Sequence, residues 1–245
     1  MVKLIEIELT NCYNCEEIPT LGHLPLLKYL KLEGLTNVRS IGLSFYGASD
    51  CSSTSRNDGH ETRVSFPSLK SLIIEKMPNL TEWAEAQTSV VQKNQNLAYL
   101  ELWTCKKLAY IPQLRGGGAS LKELCIAGSD ELRELPDDLG SLESLEALVI
   151  NGCENLQLIP YPSGQKGLSS LRSLQIYRCK RLSNLPSEML ESCTSLQSLC
   201  VFSCENLTSF PEMSGMVWLN SIRDLDIGDF LNSNILEVIG LLKSV

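Results

Sequence analysis

The run Leu171-Arg-Ser-Leu-Gln-Ile-Tyr-Arg-Cys-Lys-Arg-Leu-Ser-Asn-Leu-Pro186 constrains the fold most, because the chain is built from copies of it. Its apolar positions are Leu171, Leu174, Ile176, Cys179, Leu182 and Leu185, closed by Pro186. Leu145, Leu148, Ile150, Cys153, Leu156, Ile159 and Pro160 repeat them upstream; Leu196, Leu199, Val201, Cys204, Leu207, Phe210 and Pro211 repeat them downstream. A fixed pattern returning every two dozen residues or so marks a solenoid, in which each unit buries its apolar edge only against a neighbour. Leu174 and Ile176 alternate with Gln175 and Tyr177, the period of a short strand with two residues inward and two outward. Cys179 turns inward next, and Pro186, lacking an N–H, suits an extended return segment outside the main ladder. At about 1.5–3 kcal/mol per buried aliphatic side chain, stacking supplies most of the stability.

This pattern is that of leucine-rich repeats, an α/β solenoid with a parallel sheet on the concave face and loops and short helical turns, such as Ser187–Glu191, on the convex face. First leucines at 4, 27, 69, 97, 121, 145, 171, 196 and 222 give about nine repeats in one domain over 1–245. The spacings are 23 to 28 residues except one of 42, which contains a small, polar stretch read as a variable loop insertion over 46–65. The ninth unit degenerates into an apolar tail after Phe230, and no polar cap precedes the first, so the sequence reads as a piece of something longer with two apolar ends.

Composition narrows the function. A formal charge of −8 and a pI near 4.9 argue against binding phosphate backbones or anionic lipid, both of which need a basic face. No apolar run reaches the length of a membrane span. Of the ten cysteines, Cys12, Cys105, Cys153, Cys179 and Cys204 share one inward repeat position, which argues for packed free thiols and a reducing, cytoplasmic setting. Cys12 and Cys15 form a C-x-x-C, but Cys15 occupies a leucine position of its repeat.

Catalytic constellations find no support. His23 lies on a repeat connection and His60 in the polar loop, neither beside partners for a triad or a metal. Gly116-Gly-Gly118 precedes Ala-Ser and is a turn, not a phosphate loop. The glycosylation sequons at Asn79 and Asn206 use the repeat's own Asn-Leu. The chain is therefore expected to be non-enzymatic, without cofactor or metal. Function in a solenoid sits on the outward strand positions, and the column after each inner strand pair reads Thr10, Glu33, Glu75, Trp103, Ala127, Asn151, Tyr177, Phe202, Gly228. Trp103, Tyr177 and Phe202 in that column, with Tyr29 and Tyr99 earlier in the strands and Arg172 and Arg178 nearby, have the composition of a protein-binding hot spot. Equally, Tyr177 and Phe202 in adjacent repeats would stack on each other and do nothing more.

Ile18-Pro-Thr-Leu-Gly-His-Leu-Pro-Leu-Leu-Lys-Tyr-Leu30, Val38-Arg-Ser-Ile-Gly42 and Phe45-Tyr-Gly47, followed after the polar insert by Phe66-Pro-Ser-Leu-Lys-Ser-Leu72 and Met77-Pro-Asn-Leu-Thr-Glu-Trp83, resemble the leucine-rich-repeat region of plant coiled-coil nucleotide-binding immune receptors. The resemblance covers the whole chain and is most specific over residues 1–83. It implies a domain that senses a pathogen effector or a modified host protein and that holds the receptor's own nucleotide-binding domain inactive. ATP or ADP is expected only in that nucleotide-binding domain, which this sequence lacks. Two other homes for such repeats are a secreted receptor or inhibitor, which would carry a leader, a cysteine-paired cap and an L-x-G-x-I-P connection, and a ubiquitin-ligase adaptor, which would carry an F-box.

Overall fold

A computed structural model describes residues 3–47, 65–84, 96–114, 120–164, 167–208 and 217–229. Among the described residues the repeated strand pattern yields nine five-residue strands: β1 (Glu6–Thr10), β2 (Tyr29–Glu33), β4 (Ser71–Glu75), β6 (Tyr99–Trp103), β7 (Glu123–Ala127), β8 (Ala147–Asn151), β9 (Ser173–Tyr177), β10 (Ser198–Phe202) and β11 (Asp224–Gly228). They form one parallel sheet in chain order, each strand pairing with the equivalent residues of the next repeat. The constant register follows from the pattern, because a one-residue slip would turn every inner leucine outward. The inner residues of the middle strands, Leu100, Leu102, Leu124, Ile126, Leu148, Ile150, Leu174 and Ile176, are at most 2% exposed, in one continuous core.

A second column of order follows directly after each strand, and the apolar pattern does not reveal it. Asn11, Gly34, Lys76, Thr104, Gly128, Gly152, Arg178, Ser203 and Asp229 all have φ between +52° and +67°. Each from Asn11 to Ser203 donates its backbone N–H to the last strand residue of the next repeat, as Gly152 does to Tyr177 O at 2.9 Å and Arg178 to Phe202 O at 3.0 Å. The left-handed residue thus extends the ladder by one rung while it swings the chain away from the sheet. Six of the nine positions hold a residue other than glycine, which bears a conformational cost of roughly 1 kcal/mol or more that repetition of the ladder offsets. Next comes the inward cysteine column. The thiols of Cys105, Cys153 and Cys204 each face the carbonyl two residues earlier and an inner strand carbonyl of the preceding repeat, at 3.7–3.9 Å. Ser129 takes this position in its own repeat, fully buried, and its Oγ has no hydrogen-bond partner among the described residues.

Among the described residues the return side is irregular, with 3₁₀ turns at Leu43–Tyr46, Leu139–Ser141, Gly167–Ser170 and Val217–Asn220 and a helix, α1 (Ser187–Ser192). Two further short strands, β3 (Ser40–Ile41) and β5 (Glu82–Trp83), pair in parallel there. Repeat signals alone do not announce this small sheet. Beside it Phe45, Tyr46 and Phe66 form a three-ring cluster with centroids 5.0–6.3 Å apart. Gly22 lies so close that a Cβ there would fall 2.1 Å from Tyr46 O. These are the motif residues that carry the family resemblance, and the fold uses them as a corner. The first layer stays open on its outer side: Leu4 and Ile5 are nearly half exposed, and Ile7 and Leu9 are only partly covered. The polar stretch read as a loop insertion lies largely outside the described residues, as does the apolar tail after Phe230.

Candidate functional site

Strand alternation leaves three outward columns across the sheet, and they divide into zones of different chemistry. In the zone toward the C-terminal end, Trp103, Ala127, Asn151, Tyr177 and Phe202 are successive register partners in the last strand column. Trp103 and Phe202 are 37% and 39% exposed, while the small Ala127 beside Trp103 is buried at 7%. Trp103 is fixed by its Nε1, which donates to Glu101 Oε2 at 2.8 Å.

The two aromatics of adjacent repeats are held separately. Tyr177 hydrogen-bonds the Cys200 thiol, which in turn donates to Asp226 Oδ2 at 3.4 Å. That bond, with burial, pushes the Tyr177 phenol up to about 12. Phe202 instead leans toward the next strand, where a Cβ added to Gly228 would meet its Cε2 at 2.9 Å. Among the described residues, the ring pairs are those of Phe45, Tyr46 and Phe66, so Tyr177 and Phe202 do not stack. Gly228 leaves the room into which the Phe202 ring turns.

Arg178 stands at the end of β9 in the left-handed column, exposed, between Gly152 and Ser203, with no ion pair among the described residues. Arg172 precedes β9 by one residue and is exposed. It belongs to a row with Lys28, Lys70, Lys122 and Arg223 in which each residue precedes its strand, and Lys122 pairs with Glu146 at 3.2 Å. Tyr29 and Tyr99 lie in the first outward column, separated by Ser71, with Glu6 and Glu123 on either side. Tyr29 is half-buried and Tyr99 is 38% exposed.

The aromatic reading of the sequence missed the charge on this face. Glu6, Glu8, Glu33, Glu75, Glu101 and Glu123 all occupy outward strand positions in the first five strands of the sheet, against Lys31 alone. Lys31 and, from the turn, Lys76 bridge Glu33 and Glu75 at 2.5–3.3 Å. Hydrogen bonds from the two lysines hold the Glu33 carboxyl down at about 2. The signal was present in the sequence as the outward columns read together rather than one at a time.

Asn79 and the buried cysteines, which could have suggested chemistry, are structural, while His60 and the Gly116–Gly118 turn lie outside the described residues. Asn79 Nδ2 donates to Thr36 O at 2.8 Å and its Oδ1 accepts from Lys107, so the sequon asparagine ties neighbouring repeats together. Cys15 is exposed, while Cys105, Cys153, Cys179 and Cys193 are buried, and the nine described cysteines are free thiols. Burial pushes the Cys105 and Cys153 thiols up to about 11 and Cys193 to about 12, far from the thiolate a nucleophile needs. No cluster of three or more His, Cys, Asp or Glu among the described residues is placed to hold a metal ion, and no helix among them is long and apolar enough to cross a membrane.

Similarity to known proteins follows the same lines. No protein-family model matches the chain. It is 26% identical over 209 residues to the putative disease resistance RPP13-like protein 1 of Arabidopsis thaliana, covering 75% of this chain and 19% of that protein. It is 28% identical over 205 residues to Arabidopsis SUPPRESSOR OF npr1-1, CONSTITUTIVE 1 (76% and 12%), and 26% identical over 165 residues to Arabidopsis disease resistance protein RPP4 (66% and 14%). The chain thus spans less than a fifth of these relatives. Among solved structures, the leucine-rich-repeat domain of the type III effector XopL superposes with a TM-score of 0.68 at 22% identity, over 91% of this chain and 69% of that one, a likeness of fold. The chain thus has a leucine-rich-repeat fold and is similar in sequence to plant disease resistance proteins.

Proposed function

We propose that the concave face is the surface on which a cytoplasmic plant immune receptor recognises a pathogen effector or an effector-modified host protein, and that the same domain restrains the receptor's nucleotide-binding domain. The observation that carries this is the column Trp103, Ala127, Asn151, Tyr177, Phe202: three large aromatics stand on an outward column that the core does not need, with the small Ala127 beside Trp103. Such a surface offers a protein ligand an apolar seat, and Arg178 at its rim offers a partner for a carboxylate. The domain binds and does not catalyse, and any nucleotide belongs to another domain of the receptor.

Capture from healthy and infected plant tissue, on wild-type protein and on Tyr177→Ala/Phe202→Ala, tests this. A protein partner recovered by the wild type and lost by the double variant, with thermal unfolding of the variant nearly unchanged, supports the aromatic column. Equal recovery on both moves recognition off this part of the sheet. Early unfolding of the variant makes the two aromatics structural.

A further inference from the structure

The other end of the concave face has a different chemistry. Across β1, β2, β4, β6 and β7 the first outward column reads Glu6, Tyr29, Ser71, Tyr99, Glu123, each a register partner of the next. Neighbouring strands are about 4.8 Å apart, so the two tyrosines flank a gap of roughly 10 Å floored by a serine, with a carboxylate beyond each ring. Glu8 and Glu101 stand two residues farther along, in the second column. Both lysines of this face are already bound to Glu33 and Glu75, whereas Glu6, Glu8, Glu101 and Glu123 make no ion pair among the described residues. After burial, the carboxylates of Glu8, Glu101 and Glu6 raise the Tyr29 phenol against the opposing effect of Lys31. The face is therefore negative where the aromatic rings are, and an electron-rich ring beside a carboxylate is a seat for a cation.

Resting on the concave face being the docking face, we propose that the surface around Tyr29, Tyr99, Glu101 and Glu123 takes an extended basic polypeptide segment of the partner. Its Lys or Arg side chains lie against the tyrosine rings and pair with the carboxylates that have no ion pair, Glu101 among them although it also accepts from the Trp103 indole. Side chains on one side of an extended segment repeat at roughly 7 Å, and the four strand spacings from Glu6 to Glu123 come to roughly 19 Å, so three or four of them cover the row of tyrosines and flanking acids. Charge complementarity of this kind sets partner choice and speeds encounter.

The test uses the whole chain and a labelled peptide of alternating arginine and glycine, read by fluorescence anisotropy. Glu6→Gln/Glu8→Gln/Glu101→Gln/Glu123→Gln should weaken binding at least about tenfold, and Tyr99→Ala at least about threefold. A control that removes the same charge from exposed positions off the sheet, Glu131→Gln/Glu143→Gln/Glu188→Gln/Glu191→Gln, should stay within about twofold of wild type. Equal weakening by both quadruple variants would mean that only net charge matters and would overturn the proposal. So would equal binding of a citrulline–glycine peptide, or displacement of the labelled peptide by spermine as readily as by unlabelled peptide. If Tyr177→Ala/Phe202→Ala loses the tissue partner while the acid-face variant keeps both partner and peptide, this proposal falls and recognition at the aromatic column stands.

Discussion

Trp83 donates from its indole Nε1 to the Tyr46 hydroxyl at 2.6 Å, joining the return segments of two repeats whose strands are neighbours in the sheet. Trp83 is 6% exposed, and Tyr46 is buried enough that its phenol is pushed up to about 12. Tyr46→Phe should therefore leave a buried indole N–H without its acceptor and cost about 1–3 kcal/mol, seen as a lower midpoint in urea. An unchanged midpoint would mean that the indole finds another acceptor and that the aromatic corner is held by packing alone.

Glycine has two separate reasons to be where it is, and alanine substitution separates them. At Gly22 and Gly167 a Cβ would fall 2.1 Å and 2.0 Å from the backbone oxygens of Tyr46 and Gly140, so Gly22→Ala and Gly167→Ala require backbone displacement. At Gly152 the φ is +64° and the nearest atom is 3.9 Å away, so Gly152→Ala has room and costs only the left-handed conformation, about 1–2 kcal/mol. Thermal unfolding should rank the first two clearly below Gly152→Ala. The reverse order would contradict the packing of the return side.

Ser129 is the polar exception in a column of thiols. Its Oγ is fully buried and has no hydrogen bond among the described residues, where Cys105 and Cys153 place a sulfur at 3.7–3.9 Å from carbonyls. Ser129→Cys should raise stability by about 1 kcal/mol, because a thiol loses less on burial than a hydroxyl and fills more of the space. A lower unfolding midpoint for the variant would show that the site is sized for serine.

The buried thiols make stability fall at alkaline pH. Cys105 and Cys153 have their folded pKa raised to about 11 and Cys193 to about 12, above the value of about 8.5 for a free thiol. The folded state therefore holds these protons more tightly than the unfolded chain. The contribution is whole below pH 8.5 or so and is lost as pH rises toward 11–12. Melting temperatures at pH 7, 9 and 10 should decline, and the decline should shrink in Cys193→Ala. In the native state a thiol reagent should reach the exposed Cys15 first and the buried cysteines only on unfolding, with all ten counted in denaturant without reductant. Two or more disulfides would place the protein in an oxidising compartment and remove the intracellular reading.

The sequence alone determined the solenoid, the parallel pairing and the constant register. Each of these rests on a period: inner residues such as Leu174 and Ile176 recur at fixed spacing, and a period repeated nine times leaves the chain one consistent way to bury itself. It also named the outward aromatics, because alternation around two leucines leaves no other side for Trp103 or Phe202. Tertiary structure decided what no period encodes. Phe202 turns toward Gly228 rather than onto Tyr177, because only one neighbouring strand lacks a Cβ at that height. Arg172 and Arg178 are held by different backbone, the first just before β9 and the second in the left-handed position after it. Lys31 and Lys76 are occupied by Glu33 and Glu75, which leaves Glu101 and Glu123 without an ion pair among the described residues although the sequence separates these groups by dozens of residues. Such choices depend on which side chains of different repeats come within a few ångströms, and only stacking the repeats sets those distances.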